Sequence, residues 1–125
     1  MRYWIGLTSG ALSNADDPLN NYIMFRYSYP AGVTGFRAVT DNGTQNIAAG
    51  NVSGVTIATN TDYTLKIRVT GGNTVWFSVN GGSETQVTSN VTSSDMGFTV
   101  QGINSAAGST HSINVGKFYC EQSQG

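Results

Sequence analysis

The feature that most constrains the fold is an alternation of side-chain character in two neighbouring segments: residues 63–70 alternate apolar with polar, and in 75–79 Val75, Phe77 and Val79 alternate with Trp76 and Ser78. In the first segment Tyr63 and every second residue after it are apolar, and the residues between them are threonine, lysine or arginine. A period of two is that of a β-strand with one buried face, because successive side chains of a strand point to opposite sides. The pattern therefore predicts two β-strands that share one apolar face.

The length of the loop between these segments follows from the same pattern. A two-residue loop would place Arg68 opposite Val75 and mix a charge into the apolar face. A three-residue loop, residues 71–73, places Val69 opposite Val75 and Arg68 opposite Trp76. Its Gly-Gly-Asn sequence also tolerates the positive φ angles of tight turns. The sequence therefore predicts an antiparallel hairpin with a three-residue loop.

Period-two alternation recurs along the chain, and no segment keeps a helical period for ten residues. The further predicted strands contain Tyr3, Ile5 and Leu7; Ile23, Phe25 and Tyr27; Phe36 and Ala38; residues 85–88; Met96, Phe98 and Val100; and residues 110–121. The last strand needs a bulge at residues 116–117, because its apolar residues change phase there. Eight or nine short strands predict an all-β fold, an antiparallel β-sandwich that residues 1–125 form as a single domain.

Charge and composition restrict the classes of partner. Six Lys and Arg residues stand against seven Asp and Glu residues in 125, so no basic patch for nucleic acid is expected. No apolar run approaches the roughly 20 residues of a membrane-spanning helix, so we expect no membrane insertion. The single cysteine, Cys120, allows no intrachain disulfide and is expected to be a small buried hydrophobe.

The acidic and nucleophilic residues form no recognisable catalytic pattern. Glycoside hydrolysis needs two carboxyl groups that face each other, and the two glutamates, Glu84 and Glu121, are far apart in the sequence. His111 is the single histidine and has no second histidine or cysteine beside it to complete a zinc site. We therefore predict no catalytic residues and a protein that is not an enzyme.

One loop, residues 13–21, gathers oxygen-bearing side chains, among them Asp16 and Asp17. Carboxylates and amides are calcium ligands, although their spacing here does not match an EF-hand. A turn before proline, capped by Asx side chains, explains the same residues. We expect no cofactor, and Asp16 and Asp17 are the weak candidates for calcium.

Aromatic residues supply the candidates for ligand binding. The predicted register places Trp76 across from Arg68 on a face that otherwise carries threonine, serine and lysine. Such a pair suggests a cation–π contact, and an aromatic ring on a sheet face can also stack against a sugar. The alternative is that a loop or another subunit covers the ring. The same two alternatives, ligand binding or cover by another part of the protein, apply to Trp4 and Tyr29. The candidate binding residues are therefore Trp76, Arg68, Trp4 and Tyr29.

The order of several segments resembles a known family. The segments are Tyr-Trp-Ile-Gly-Leu-Thr at residues 3–8, Ala-Asp-Asp-Pro at 15–18, Met-Phe-Arg-Tyr-Ser at 24–28, Asp-Tyr-Thr-Leu-Lys-Ile-Arg at 62–68 and Val-Trp-Phe-Ser-Val-Asn-Gly at 75–81. Together they resemble the concanavalin A-like, or laminin G-like, jelly-roll domains of tailed-phage structural and tail fibre proteins. The resemblance spans nearly the whole chain, rests on structural motifs, and implies a jelly-roll topology.

Domains of this kind carry further strands ahead of the segment that matches residues 2–8. The resemblance therefore implies either a minimal version of the fold or one whose N-terminal strands come from elsewhere. A sandwich that lacks strands exposes a strand edge and part of an apolar face. We therefore expect a homo-oligomer, such as a trimer of the kind common in phage fibres, or completion of the sandwich by another virion protein.

These expectations combine into one interpretation of the function. The sequence favours a non-catalytic structural or adhesion module in a virion or another extracellular setting. A phage tail fibre, decoration or receptor-binding protein that contacts surface glycans would fit this description. The alternative is a carbohydrate-binding module of a secreted enzyme.

Overall fold

The computed structural model describes residues 2–13, 21–28, 31–103 and 113–119. These residues form eight strands and one 3₁₀ turn, Val52–Gly54. The strands are β1 (Arg2–Thr8), β2 (Tyr22–Ser28), β3 (Arg37–Asp41), β4 (Gln45–Ile47), β5 (Leu65–Thr70), β6 (Thr74–Val79), β7 (Thr85–Val87) and β8 (Gly97–Ile103).

The strands form two antiparallel sheets, as the period-two pattern predicted. Sheet A has five strands in the order β4-β3-β2-β1-β8, and sheet B has three in the order β5-β6-β7. Every described strand pair is antiparallel. The prediction of an all-β, antiparallel sandwich is therefore confirmed. The short strand β4 was not predicted.

The hairpin of β5 and β6 has the predicted register. Val69 lies opposite Val75 and Arg68 lies opposite Trp76, with Thr70 and Thr74 as the last pair before the loop. In the loop, Gly71 and Gly72 adopt φ angles of +60° and +78°. These conformations are accessible to glycine at little cost, which explains the sequence of the loop.

The main core lies between the two sheets. Its buried residues are Ile23, Phe25, Phe36, Ala38, Val52, Val75, Phe77, Val79 and Val87. Phe25 is at its centre and makes edge-to-face contacts with Phe36 at 5.9 Å and with Phe77 at 5.2 Å between ring centroids. Burial of each such ring contributes roughly 1.5–3 kcal/mol. This core joins sheet A to sheet B.

A second cluster of buried residues covers the outer face of sheet A. It contains Trp4, Tyr22, Met24 and Val39, against which Leu12 packs. Strand β2 is therefore buried on both faces, and its continuous apolar run at residues 22–25 is typical of such a strand.

The two sheets are offset from each other because they differ in width. At one side the hydroxyl of Thr40 on β3 donates to the carbonyl of Ser89, which follows β7. At the other side Ile67 of β5 reaches over β1. Its Cδ1 atom lies 3.0 Å from the position that a Cβ would take if Gly6 carried a side chain. The next strand of sheet A after β1 is β8. Sheet B therefore ends above β1, and the inner face of β8 extends beyond it.

The predicted final strand is wrong where the structure describes it. Residues 113–119 form no strand, and the remainder of 110–121 lies outside the described residues. The segment nevertheless contacts β8, since Ile113 lies over Gly102 and the rings of Phe98 and Phe118 stack 4.0 Å apart. Val115 remains largely exposed, which fits the change of phase in this segment, since a single face cannot bury all its apolar residues.

The close packing of β1 against β2 gives a test of the fold. Gly6 has a φ of +152°, and a Cβ there would lie 2.5 Å from the carbonyl oxygen of Ile23. We expect Gly6→Ala to lower the free energy of unfolding by about 2–4 kcal/mol, because it combines backbone strain with overpacking. Urea denaturation measures this loss.

The matched control is Gly97→Ala on β8, where an added Cβ would meet no atom within 4 Å. We expect this variant to change the stability by less than about 0.5 kcal/mol. Equal losses in the two variants would contradict the described approach of β1 to β2.

Candidate functional site

The outer face of sheet B carries the first candidate site. Strand alternation directs Lys66 and Arg68 of β5, Trp76 of β6 and Gln86 of β7 to this face. Arg68, Trp76 and Gln86 lie in one row across the three strands, since Arg68 pairs with Trp76 and Trp76 with Gln86. The face thus combines one large aromatic ring with charged and amide side chains.

The ring of Trp76 is half-buried and fixed in place by two contacts. The guanidinium carbon of Arg68 lies 4.9 Å from the ring centroid, the distance of a cation–π contact. The indole Nε1–H donates to the hydroxyl of Thr70 at 3.0 Å. At a partly exposed site, a cation–π contact contributes about 0.5–1 kcal/mol. The sequence-based prediction that Arg68 and Trp76 are cross-strand neighbours is therefore confirmed.

Glu84 fixes the arginine in turn. Nη2 of Arg68 donates to Oε1 of Glu84 at 2.9 Å and to Oε2 at 3.1 Å, and Nε donates to Oε2 at 3.3 Å. Both side chains are partly exposed. Sequence reasoning missed this role of Glu84, because the residue lies 16 positions from Arg68 and on the far side of β6. The register of β7 against β6 is the signal that could have brought them together.

We call Trp76, Arg68 and Glu84 the Trp–Arg–Glu cluster. Its arginine occupies one part of the indole, so a ligand would meet the remaining exposed part of the ring together with neighbouring donors and acceptors. Lys66 and Gln86 are exposed beside it. Such a combination suits a polar ligand with an apolar face, such as a sugar.

Trp4, the other tryptophan candidate, lies in the interior. It has no exposed surface, contacts Tyr22 edge-to-face at 5.6 Å, and lies 5.7 Å from the guanidinium of Arg26. As a candidate binding residue it is therefore corrected to a core residue of sheet A. The sequence could not show this. Alternation along β1 places Trp4 on the face of sheet A that points away from the main core, but it does not show what covers that face.

The remaining sequence-based candidates lie outside the described residues. They are Tyr29, the calcium candidates Asp16 and Asp17, His111, Cys120 and Glu121. In the part of the chain that is described, no three His, Cys, Asp or Glu residues lie close enough together to hold a metal ion. That part also contains no helix long and apolar enough to span a bilayer.

A second surface was not predicted as a site. Four apolar residues at the β8 end of sheet A are exposed: Phe98 by 40%, Val115 by 55%, Phe118 by 51% and Tyr119 by 75%. We call this group the aromatic patch. Phe98 lies on the inner face of sheet A, because its register partner Leu7 packs against the main core. The patch therefore extends the interior of the sandwich to the surface.

Two tyrosines lie on the same inner face. Tyr3 and Tyr27 stack with their ring centroids 5.9 Å apart. Burial, and then the neighbouring Tyr27, raise the pKa of Tyr3 above its ordinary value of 10.0. Beside Tyr27 there is an open groove of about 240 Å³, whose other lining residues are Gly32, Val33, Thr34, Thr56 and Ile57. None of these lining residues is charged.

Comparison of the chain with protein-family models, with curated proteins and with solved structures found no match in any of the three. The two surfaces, the outer face of sheet B and the aromatic patch, are therefore the basis for a functional proposal.

The Trp–Arg–Glu cluster gives a second testable prediction. We expect Glu84→Gln to lower the free energy of unfolding by about 0.2–1 kcal/mol in low salt, because it removes a partly exposed ion pair. The loss should shrink in about 1 M salt, where the Debye length is about 3 Å. Urea denaturation at the two salt concentrations measures both effects.

Asp62→Asn is the matched control, since Asp62 is an exposed carboxylate just ahead of β5. We expect it to leave the stability nearly unchanged at either salt concentration. A loss for Glu84→Gln that did not depend on salt would contradict an electrostatic role for the pair.

Proposed function

We propose that this protein is a non-catalytic structural or adhesion module of a virion or another extracellular assembly, and that it acts by associating with other chains. The observation that supports this proposal is the unequal width of the two sheets. Five strands of sheet A face three strands of sheet B, and the aromatic patch lies where sheet A has no covering strand among those described. Association would bury that apolar surface.

The physical reason for association is the composition of this surface. Contiguous exposed apolar side chains are typical of interaction sites, whereas single ones are ordinary. Phe98 and Phe118 stack directly on each other and so expose one continuous apolar area. The net charge of −1 means that electrostatic repulsion between copies is weak.

The proposal extends to the topology and setting of the sandwich. We propose a jelly roll of the concanavalin A-like type, as in tailed-phage structural and tail fibre proteins. The order of the segments at residues 3–8, 24–28, 62–68 and 75–81 supports it. The same resemblance supports an oligomer such as a trimer, or completion by another virion protein.

Sedimentation equilibrium tests the association. We expect the chain to be oligomeric at micromolar concentration, and Phe118→Ser to weaken the oligomer by about tenfold or more, because it removes half of the stacked pair. The control is Ile47→Ser, which removes a similarly exposed residue on β4, at the opposite edge of sheet A. A wild-type chain that remained monomeric would count against self-association, and equal effects of the two variants would count against the aromatic patch.

The Trp–Arg–Glu cluster favours a second candidate function, that of a carbohydrate-binding module. A half-buried indole beside Lys66, Arg68 and Gln86 offers stacking together with hydrogen-bonding groups. A module of this kind should bind sugars as a monomer, whereas an assembly module should self-associate and ignore them.

A glycan array separates these two functions. If the outer face of sheet B binds sugar, we expect Trp76→Ala to weaken binding by about tenfold or more, which corresponds to about 1.4 kcal/mol. Phe118→Ser should leave sugar binding unchanged, because the aromatic patch is a separate surface. Circular dichroism shows whether the Trp76 variant is folded, and wild-type protein that binds no glycan on the array would exclude this candidate.

A further inference from the structure

The chain contains two asparagine–glycine pairs, and both lie in turns. Asn42–Gly43 lies in the loop between β3 and β4, and Asn80–Gly81 follows β6. In such a pair the backbone nitrogen of the glycine can attack the side-chain amide carbon of the asparagine and close a succinimide ring. Glycine favours this reaction because it has no side chain to hinder the attack and its backbone is conformationally free.

The fold holds the side chain of Asn80 in place. Its Oδ1 atom accepts the backbone N–H of Thr64 at 2.8 Å, and its own backbone N–H donates to the carbonyl of Thr64 at 2.8 Å. Asn80 and Gly81 adopt φ angles of +53° and +68°, as in a tight hairpin turn. Ring closure would require Asn80 to release Thr64, so the structure protects this asparagine.

Asn42 is not held in this way. Its side chain is exposed and makes no hydrogen bond to another described residue. The following Gly43 has a φ of +114°, and a Cβ added there would meet no atom within 4 Å. The side chain of Asn42 can therefore approach the backbone nitrogen of Gly43 without breaking a described contact.

A carboxylate lies at the proton that this reaction must remove. The backbone N–H of Gly43 donates to Oδ1 of Asp41 at 2.7 Å, and Asp41 is almost completely buried at the end of β3. The nitrogen must lose this proton when it attacks, and a general base must lie within hydrogen-bond distance of the proton that it removes. Asp41 satisfies this condition before the reaction begins.

We propose that the loop between β3 and β4 is a site of self-modification, at which Asn42 forms a succinimide with Gly43 and Asp41 accepts the proton. The Gly43 nitrogen bonds to Cγ of Asn42 while its proton passes to Asp41. The bond between Cγ and Nδ2 then breaks, and Nδ2 takes the proton from Asp41 and leaves as ammonia. Water opens the ring at either carbonyl carbon, which leaves aspartate or isoaspartate at position 42.

This inference goes beyond the proposed function and does not depend on it. Each chain reacts once, and Asp41 returns to its original state. Both products carry a new negative charge beside Asp41, and isoaspartate also lengthens the main chain. The loop begins at Asp41, which pairs with Gln45 as the last pair of β3 and β4. The reaction therefore changes the charge of this hairpin and the length of its backbone.

Tandem mass spectrometry after incubation of the folded and the urea-unfolded protein tests the proposal, because it measures deamidation at each asparagine separately. In the unfolded chain we expect similar rates at Asn42 and Asn80, since both precede glycine. In the folded chain we expect Asn42 to react faster than in the unfolded chain. Asn80 should react about tenfold or more slowly than in the unfolded chain, because its hydrogen bond to Thr64 must break first.

Replacement of the carboxylate tests the role of Asp41. Asp41→Asn keeps an acceptor oxygen for the Gly43 N–H but removes the base, so we expect deamidation of Asn42 to slow by about tenfold or more. The matched control is Asp62→Asn, an exposed position ahead of β5, which should leave the rate unchanged. Asn80 reports on folding in the same samples, since it is protected in the folded chain alone.

Three results would each overturn the inference. Asn42 could react no faster in the folded than in the unfolded chain, Asn42 and Asn80 could react alike in the folded chain, or the Asp41 and Asp62 variants could have equal rates at Asn42. If Asp41→Asn does not fold, Asn80 will react at its unfolded rate in that variant. The comparison of folded with unfolded wild-type protein then decides.

Discussion

The apolar surface between two sheets of unequal width determines the rest of this molecule. Sheet B packs over β1, β2 and β3, but sheet A continues to β8. Apolar area removed from water contributes roughly 25 cal/mol per Å², so a strip that is only partly covered at the end of the wider sheet favours contact with another chain. The exposed stack of Phe98 and Phe118 is therefore a consequence of the architecture rather than an isolated surface feature.

The two outer faces of the sandwich differ in how far they are removed from water. The outer face of sheet A is covered, so Trp4 and Met24 can be fully buried there. The outer face of sheet B meets water and carries lysine, arginine and glutamine. Trp76 is the exception on that face, and its exposure is limited because Arg68 covers part of the ring and Thr70 accepts the indole N–H bond. The one large aromatic residue on this face is therefore held in a defined orientation.

The sequence was sufficient to predict the sandwich, the β5–β6 hairpin and its register. A one-residue slip would have moved Arg68 into the core, so the pattern allowed a single answer. The same reasoning could not identify Trp4 as a core residue, because burial of the second face depends on distant parts of the chain. It also failed for residues 113–119, where the apolar positions change phase. The Arg68–Glu84 pair depends on the position of β7, which sequence alternation alone does not fix.

The outer strands of the two sheets differ among the described residues. Strands β4 and β7 have three residues each, too few to bind another strand firmly, whereas residues 113–119 pack on the inner face of β8. Strand β5 has six residues, and its protection is the pair of cations, Lys66 and Arg68. Shortness excludes every partner alike, whereas charge excludes only partners of the same sign. The cations on β5 therefore disfavour pairing of this strand with a second copy of itself.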